Sequence, residues 1–112
     1  MTNEINGEIT VELVKVCNAE DVPPGGSFRV EVGAYPPLAV FNIDGEFFVI
    51  NDTCSHGEAS LCDGEIEGGQ VECPWHNAKF CIKTGQALTF PAVEPQKRYK
   101  AQLVGAEVMI EA

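Results

Sequence analysis

Two short Cys/His pairs are the residues of this chain with the clearest capacity for chemistry. Cys54 and His56 form a C-x-H pair, Cys73 and His76 form a C-x-x-H pair, and sixteen residues separate the two pairs. Each pair offers one soft thiolate and one borderline imidazole, so two loops that carry such pairs can close around a small inorganic cluster from two sides. The spacing therefore predicts a metal centre that uses both histidines of the chain.

Three kinds of centre fit these residue types. A [2Fe–2S] cluster can take two thiolates on one iron and two neutral imidazoles on the other, which raises its potential above that of a four-cysteine cluster. Structural zinc is an alternative, because zinc takes four tetrahedral nitrogen or sulfur ligands. A four-cysteine site made of Cys54, Cys62, Cys73 and Cys81 is another alternative, although it would leave both histidines without a role.

The surroundings of the two pairs resemble the Rieske iron–sulfur proteins, and in particular the soluble Rieske ferredoxins of bacterial aromatic ring-hydroxylating dioxygenases. The likeness rests on the C-x-H and C-x-x-H motifs, on Gly57, on Pro74 and Trp75 inside the second motif, and on the Thr84–Gly85 turn. It extends over essentially the whole chain, although outside residues 52–85 it depends on strand pattern and length.

The resemblance implies the ligands of one Rieske-type [2Fe–2S] cluster. Cys54 and Cys73 would hold the inner iron, and His56 and His76 would hold the outer iron. No catalytic residue is implied, since the family's ferredoxins carry electrons and do not transform a substrate.

Departures from the respiratory branch of the family indicate a low potential. That branch has a disulfide between its two loops, and the corresponding positions here are Ala59 and Trp75. It also has hydroxyl donors near the cluster where this chain has Ala78 and Phe80. Without those donors the reduced cluster is less stabilised, because hydrogen bonds near a metal centre tune its potential.

The function implied by the resemblance is that of a one-electron carrier rather than an enzyme. It would pass electrons from a flavin-containing ferredoxin reductase to the Rieske centre of a terminal aromatic-ring dioxygenase. Two alternatives stay open: a permanently bound Rieske small subunit of a larger redox enzyme, and a zinc-stabilised interaction module. A permanent subunit should expose a contiguous apolar patch, whereas a shuttle should be a monomer with a charged face.

Composition narrows the partners and the compartment. The formal charge of −10, from 17 acidic and 7 basic residues, argues against nucleic-acid or anionic-membrane binding and favours basic protein partners. No run approaches the roughly 18 apolar residues of a membrane span, and the first thirty residues lack the pattern of a secretory signal. An odd number of cysteines, five, suits metal ligands and free thiols in a reducing compartment, so a cytoplasmic location is expected.

The elements that must position the two pairs are short β-strands separated by turn signals. Strands are predicted at 9–16, 28–32, 38–43, 46–50, 65–67, 70–73, 80–82, 87–90, 99–104 and 107–110. Asp44–Gly45, Gly68–Gly69, Thr84–Gly85 and Gly105 predict four hairpins, and 18–22 predicts one helical turn.

These strands predict an all-β, antiparallel β-sandwich with the Rieske fold. A single domain would span 1–112, with a base formed by 1–51 and 83–112 and a cluster-binding subdomain inserted at 52–82. Within the insertion, 52–63 and 74–78 are predicted loops that carry the two Cys/His pairs, in keeping with the placement of chemistry on loops held by a rigid scaffold.

For several residues outside the ligand set the sequence predicts either burial in the core or a role that stays open. Cys17 is predicted to be a buried, inert thiol, and Phe28, Phe41, Phe47 and Phe48 are predicted core residues. The roles of Cys62 and Cys81 stay open, and Pro91 belongs either to a loop that covers the cluster or to an ordinary turn.

The surface between the ligand pairs also has two interpretations. Trp75 would either shield the cluster or offer a contact surface. The acids of this stretch would form either a docking face or a solvated rim; they are Glu58, Asp63, Glu65, Glu67 and Glu72.

Overall fold

A computed structural model describes residues 12–55, 58–75, 77–89 and 94–111. The strands in these ranges are β1 Leu13–Asn18, β2 Ser27–Val30, β3 Leu38–Ile43, β4 Glu46–Asn51, β5 Ile66–Glu67, β6 Gln70–Glu72, β7 Lys79–Cys81, β8 Arg98–Tyr99, β9 Ala101–Val104 and β10 Glu107–Glu111. Two 3₁₀ helices, Ala19–Asp21 and Leu61–Asp63, are the helical elements of the same ranges. The predicted all-β class and the helical turn near residue 20 are confirmed.

The strands form three antiparallel sheets. Their orders are β1-β10-β9, β2-β3-β4-β8 and β5-β6-β7. β3 and β4 are joined by the predicted two-residue turn, in which Asp44 and Gly45 have φ angles of 55° and 87°. This left-handed pair matches the right-handed twist of the strands it joins, so the turn chemistry sets the register of the central hairpin.

Strand β3 is buried on both faces and places the four-stranded sheet between two cores. Leu38 and Val40 pack in one apolar cluster with residues of β1 and β10, whereas Ala39 and Phe41 pack in a second cluster. Since successive side chains of a strand point to opposite faces, the two clusters lie on opposite sides of the sheet. The second cluster includes Cys54 and Cys73. The ligand loops are therefore built on the face of this central sheet that is turned away from β1 and β10, which we call its outer face.

The predicted hairpins at Gly68–Gly69 and Gly105 are confirmed, but the strand predicted at 87–90 is wrong. Ala87 makes only an isolated bridge with Phe80, and Phe90 lies outside the described residues. The backbone N–H of Lys79 donates to the Thr89 hydroxyl at 2.9 Å. A side chain thus replaces the main-chain carbonyl that a continuing strand would supply, and the ladder ends.

Smaller differences concern strand ends and one aromatic residue. β2 ends at Val30 instead of residue 32, and Tyr99 lies in β8, which pairs with β4. Phe41 is fully buried and Phe47 and Phe48 are half-buried, but Phe28 is 36% exposed, so its assignment to the core is wrong. β2 is an edge strand of its sheet, which leaves one side of Phe28 to solvent.

In the portion of the chain that the structure describes, no helix is long and apolar enough to span a membrane.

Candidate metal centre

The two predicted cysteine ligands lie together in one buried cluster. Cys54 follows the end of β4 and is 3% exposed, and Cys73 follows β6 and is fully buried. Both pack in the cluster on the outer face of the central sheet, against side chains such as Leu61 and Phe80. Two thiols that are far apart in sequence are therefore brought to one apolar site, as the two-loop motif predicted.

The two ligand loops close in the same way. The backbone N–H of Cys54 donates to the Ala59 carbonyl at 2.9 Å, and that of Cys73 donates to the Ala78 carbonyl at 2.7 Å. Each bond joins a cysteine to the fifth residue after it, and both alanines are buried. In the second loop Asn77 has a left-handed φ of 60°, and its N–H donates a hydrogen bond to the Cys73 carbonyl at 2.9 Å, which tightens the turn. Each thiol therefore stands at the base of a short closed loop.

The predicted histidine ligands fall inside these two loops but lie outside the described residues. The same holds for Gly57 and for Pro91. The described part of the donor set, two buried thiols at the bases of matching loops, suits the thiolate-bound iron of a [2Fe–2S] cluster. His56 and His76 remain the predicted imidazole donors.

A buried carboxylate that the sequence analysis missed anchors the first loop. Asp52 is 1% exposed, and it accepts hydrogen bonds from Arg29 Nε at 3.1 Å and from the Cys62 N–H at 3.0 Å. Its own carbonyl accepts from the Leu61 N–H at 2.8 Å. Asp52 thus ties the 3₁₀ helix after the loop to the strand before it. No local pattern marks this residue, since Arg29 lies 23 positions away.

The structure contradicts the four-cysteine alternative. Cys54, Cys62, Cys73 and Cys81 are all described, yet no three His, Cys, Asp or Glu side chains of the described ranges are grouped to hold a metal ion. Burial, and then the charge of Asp52, raises the pKa of the Cys62 thiol to about 12, so this thiol is protonated at neutral pH.

The two other cysteines outside the ligand set have opposite characters. Burial, with a contribution from Asp21, raises the pKa of Cys17 to about 11, so the predicted inert thiol is confirmed. Burial also opposes ionisation of Cys81, but hydrogen bonds from Thr84 and the backbone, together with the charge of Lys83, lower its pKa. Cys81 is a half-buried thiol at the end of β7.

The surface beside Cys73 is acidic and carries an exposed indole. Asp63, Glu65 and Glu72 line a shallow groove with Cys73 and Pro74, and no acid of the 58–72 stretch forms an ion pair with another described residue. Trp75, in the second loop, is 64% exposed. Its side chain therefore offers a contact surface next to the buried thiol.

Comparisons with known proteins agree with this site. The "Rieske [2Fe-2S] domain" family matches residues 12–100. The 3-phenylpropionate/cinnamic acid dioxygenase ferredoxin subunit of Shigella flexneri serotype 5b is 43% identical over 99 residues, which are 88% of this chain and 92% of that protein.

Two solved structures are similar along most of their length. The Sphingomonas yanoikuyae B1 ferredoxin has 38% identity and a TM-score of 0.85, over 90% of this chain and 99% of its own. A chain in a complex of reduced oxygenase and oxidised ferredoxin in carbazole 1,9a-dioxygenase has 35% identity and a TM-score of 0.81, over 88% of this chain and 92% of its own.

The chain belongs to the Rieske [2Fe–2S] family. It is a small Rieske ferredoxin that holds one Rieske-type [2Fe–2S] cluster, and the zinc alternative is thereby set aside. The cluster supplies one-electron chemistry when bound.

Proposed function

We propose that this ferredoxin carries single electrons from a flavin-containing ferredoxin reductase to the Rieske centre of a terminal aromatic-ring dioxygenase. In this proposal Cys54 and Cys73 would hold one iron of the cluster, and His56 and His76 would hold the other. The observation that carries the proposal is the burial of both thiols in one core cluster, with the exposed residues Pro74 and Trp75 directly after Cys73. A carrier needs its cluster secured inside the protein yet close to a surface that a partner can reach.

The names of similar proteins support the partner. One relative is a dioxygenase ferredoxin subunit, and one structural neighbour comes from a complex between a ferredoxin and an oxygenase. In this proposal the acidic surface beside Cys73 and the indole of Trp75 form the docking face, and the partner presents a basic surface. The role is that of an electron-transfer component, without a substrate site of its own.

The proposal also includes the organisation and location predicted from the sequence. The third sheet, β5-β6-β7, lies within 52–82, and this segment would be the cluster-binding subdomain inserted between the two parts of the base. Cys17, Cys62 and Cys81, the three cysteines outside the proposed ligand set, are free thiols, which suits the reducing cytoplasm. The large exposed apolar side chains of the described residues are spread over several elements; they are Leu13, Phe28, Trp75, Leu88, Leu103 and Val104. This scatter supports a monomeric shuttle over a permanently bound subunit.

Electron delivery is expected to slow as salt rises, since attraction to a basic partner is screened. The Debye length falls from about 30 Å at 0.01 M to about 3 Å at 1 M ionic strength. Stopped-flow oxidation of the reduced ferredoxin by an aromatic-ring dioxygenase should slow about tenfold over this range. The combined Glu65→Gln and Glu72→Gln change should slow delivery at low salt and flatten the profile.

A control away from this face is Glu46→Gln, which removes one acid where the test variant removes two. Glu46 is an exposed acid at the start of β4, at the opposite end of that strand from the first ligand loop, and its removal changes the net charge without touching the proposed face. It should leave the low-salt rate within about twofold. If Glu46→Gln slowed delivery as much as the Glu65 and Glu72 changes, docking would not occur at the proposed face.

The midpoint potential is expected below about 0 mV, in the lower part of the Rieske range of about −150 to +300 mV. Ala78 and Phe80 are fully buried beside Cys73 and offer no hydroxyl to the cluster. Ala78→Ser should raise the potential measured by voltammetry at neutral pH, because a hydroxyl donor stabilises the reduced cluster. Ala87→Ser, outside the loop, is the control. A potential above about +200 mV in the unaltered protein would contradict this explanation.

A further inference from the structure

The side chain of Gln96 is buried against the start of the first ligand loop. Gln96 is 3% exposed, and its Nε2 donates to the carbonyl oxygens of Asn51 and Thr53, both at 2.7 Å. Because both partners can only accept, the nitrogen end of the amide must face them, and both of its protons are used. Thr53 directly precedes Cys54, so this amide holds the main chain that leads into the first thiol.

Neighbours of Gln96 in the segment 94–97 also form hydrogen bonds with the chain around Cys54. The Asn51 N–H donates to the Lys97 carbonyl at 2.9 Å, and the Ser55 hydroxyl donates to the Glu94 carbonyl at 2.8 Å. Residues 94–97, which we call the strap, therefore contact the chain on both sides of Cys54.

The strap also contacts the turn that follows the second ligand loop. The Gln96 N–H donates to the Gly85 carbonyl at 2.7 Å. Gly85 has a φ of 79°, and a Cβ there would overlap the carbonyl oxygen of Gln96. Gly85 in turn donates to the Cys81 carbonyl at the end of β7, which pairs with the strand leading to Cys73. One short segment thus joins the supports of both loops.

We propose that Gln96 is a positioning residue for the cluster. By fixing the carbonyls of Asn51 and Thr53 it holds the Cys54 thiol in place and keeps the first loop closed. The inference rests on the proposed function, because it assumes that Cys54 is a ligand. Partners that orient a metal ligand commonly change metal affinity about tenfold to a hundredfold when they are lost.

The test compares Gln96→Leu with Tyr99→Phe in the cluster-loaded protein. Leucine keeps the size of the side chain and removes both hydrogen bonds. The Tyr99 hydroxyl donates to the side-chain oxygen of Asn51 at 2.7 Å and not to a main-chain carbonyl. Removing this hydroxyl therefore leaves both hydrogen bonds of the Gln96 side chain in place. Iron release to excess bathophenanthroline should be about tenfold faster in Gln96→Leu and within about twofold of normal in Tyr99→Phe.

A second readout separates positioning from general destabilisation. The electron paramagnetic resonance spectrum of the reduced cluster should change in Gln96→Leu and stay the same in Tyr99→Phe. Faster iron release with an unchanged spectrum, or normal release in Gln96→Leu, would overturn the proposal.

A third variant covers the case in which Gln96→Leu does not fold. Ser55→Ala removes one exposed hydrogen bond between strap and loop, and it should also speed iron release. Normal release in Ser55→Ala would then overturn the role of the strap. The proposed function fails separately, since it requires that the unaltered protein binds iron and sulfide at all.

Discussion

His56→Ala and His76→Ala are each expected to yield protein that retains no stable [2Fe–2S] cluster. A Rieske cluster takes two imidazoles on one iron, and alanine leaves that iron with an open position. Cys73→Ser should have the same effect, because the thiol it removes is fully buried at the base of the second loop. Iron and inorganic sulfide analysis after anaerobic purification, together with visible absorption, measures the loss.

Cys62→Ser and Cys81→Ser are the matched controls for these ligand replacements. Both thiols are half-buried and lie outside the proposed ligand set, so both variants should keep two irons and two sulfides. Cluster loss in both serine variants would contradict the assignment of His56 and His76. A colourless unaltered protein with one zinc per chain would contradict the cluster itself.

The hairpins and the two Cys/His motifs can be recognised in the sequence because each depends on residues that are near neighbours along the chain. Asp44–Gly45 predicts its turn since only a few residue types take two left-handed φ angles in succession. The Cys/His pairs are recognisable by spacing alone. The strand predicted at 38–43 is confirmed as β3, and the structure adds that it is buried on both faces.

The supports of the site are not predictable in this way, because they join distant residues. Asp52 meets Arg29 across 23 positions, and Gln96 meets Asn51 across 45 positions. Neither contact leaves a local pattern, and a buried Gln or Asp looks like any surface residue in the sequence. The strand predicted at 87–90 was wrong for a related reason, since the competing bond comes from the side chain of Thr89.

Gly85→Ala is expected to lower the unfolding midpoint of the loaded protein far more than Gly69→Ala. The two glycines have nearly the same φ, 79° and 78°, so the backbone cost of alanine, about 1–2 kcal/mol, is the same at both. Around Gly69 the position of a Cβ is empty, whereas at Gly85 it overlaps the Gln96 carbonyl oxygen. Forcing main chain apart at a packed site costs a further ~1–3 kcal/mol.

These costs convert to a difference that thermal unfolding resolves. With about 4 °C per kcal/mol for a domain of this size, Gly69→Ala should lower the midpoint by about 4–8 °C and Gly85→Ala by about 8–20 °C. Visible circular dichroism follows the cluster and far-ultraviolet circular dichroism follows the sheets, so both signals are recorded on one sample. In Gly85→Ala the visible signal of the cluster should disappear at a lower temperature than the far-ultraviolet signal of the sheets, because displacement of Gln96 opens the first ligand loop before the central sheet unfolds. Equal midpoints for the two alanine variants would show that alanine at position 85 destabilises the protein through its φ alone. The close approach of Gly85 to Gln96 would then add nothing to stability.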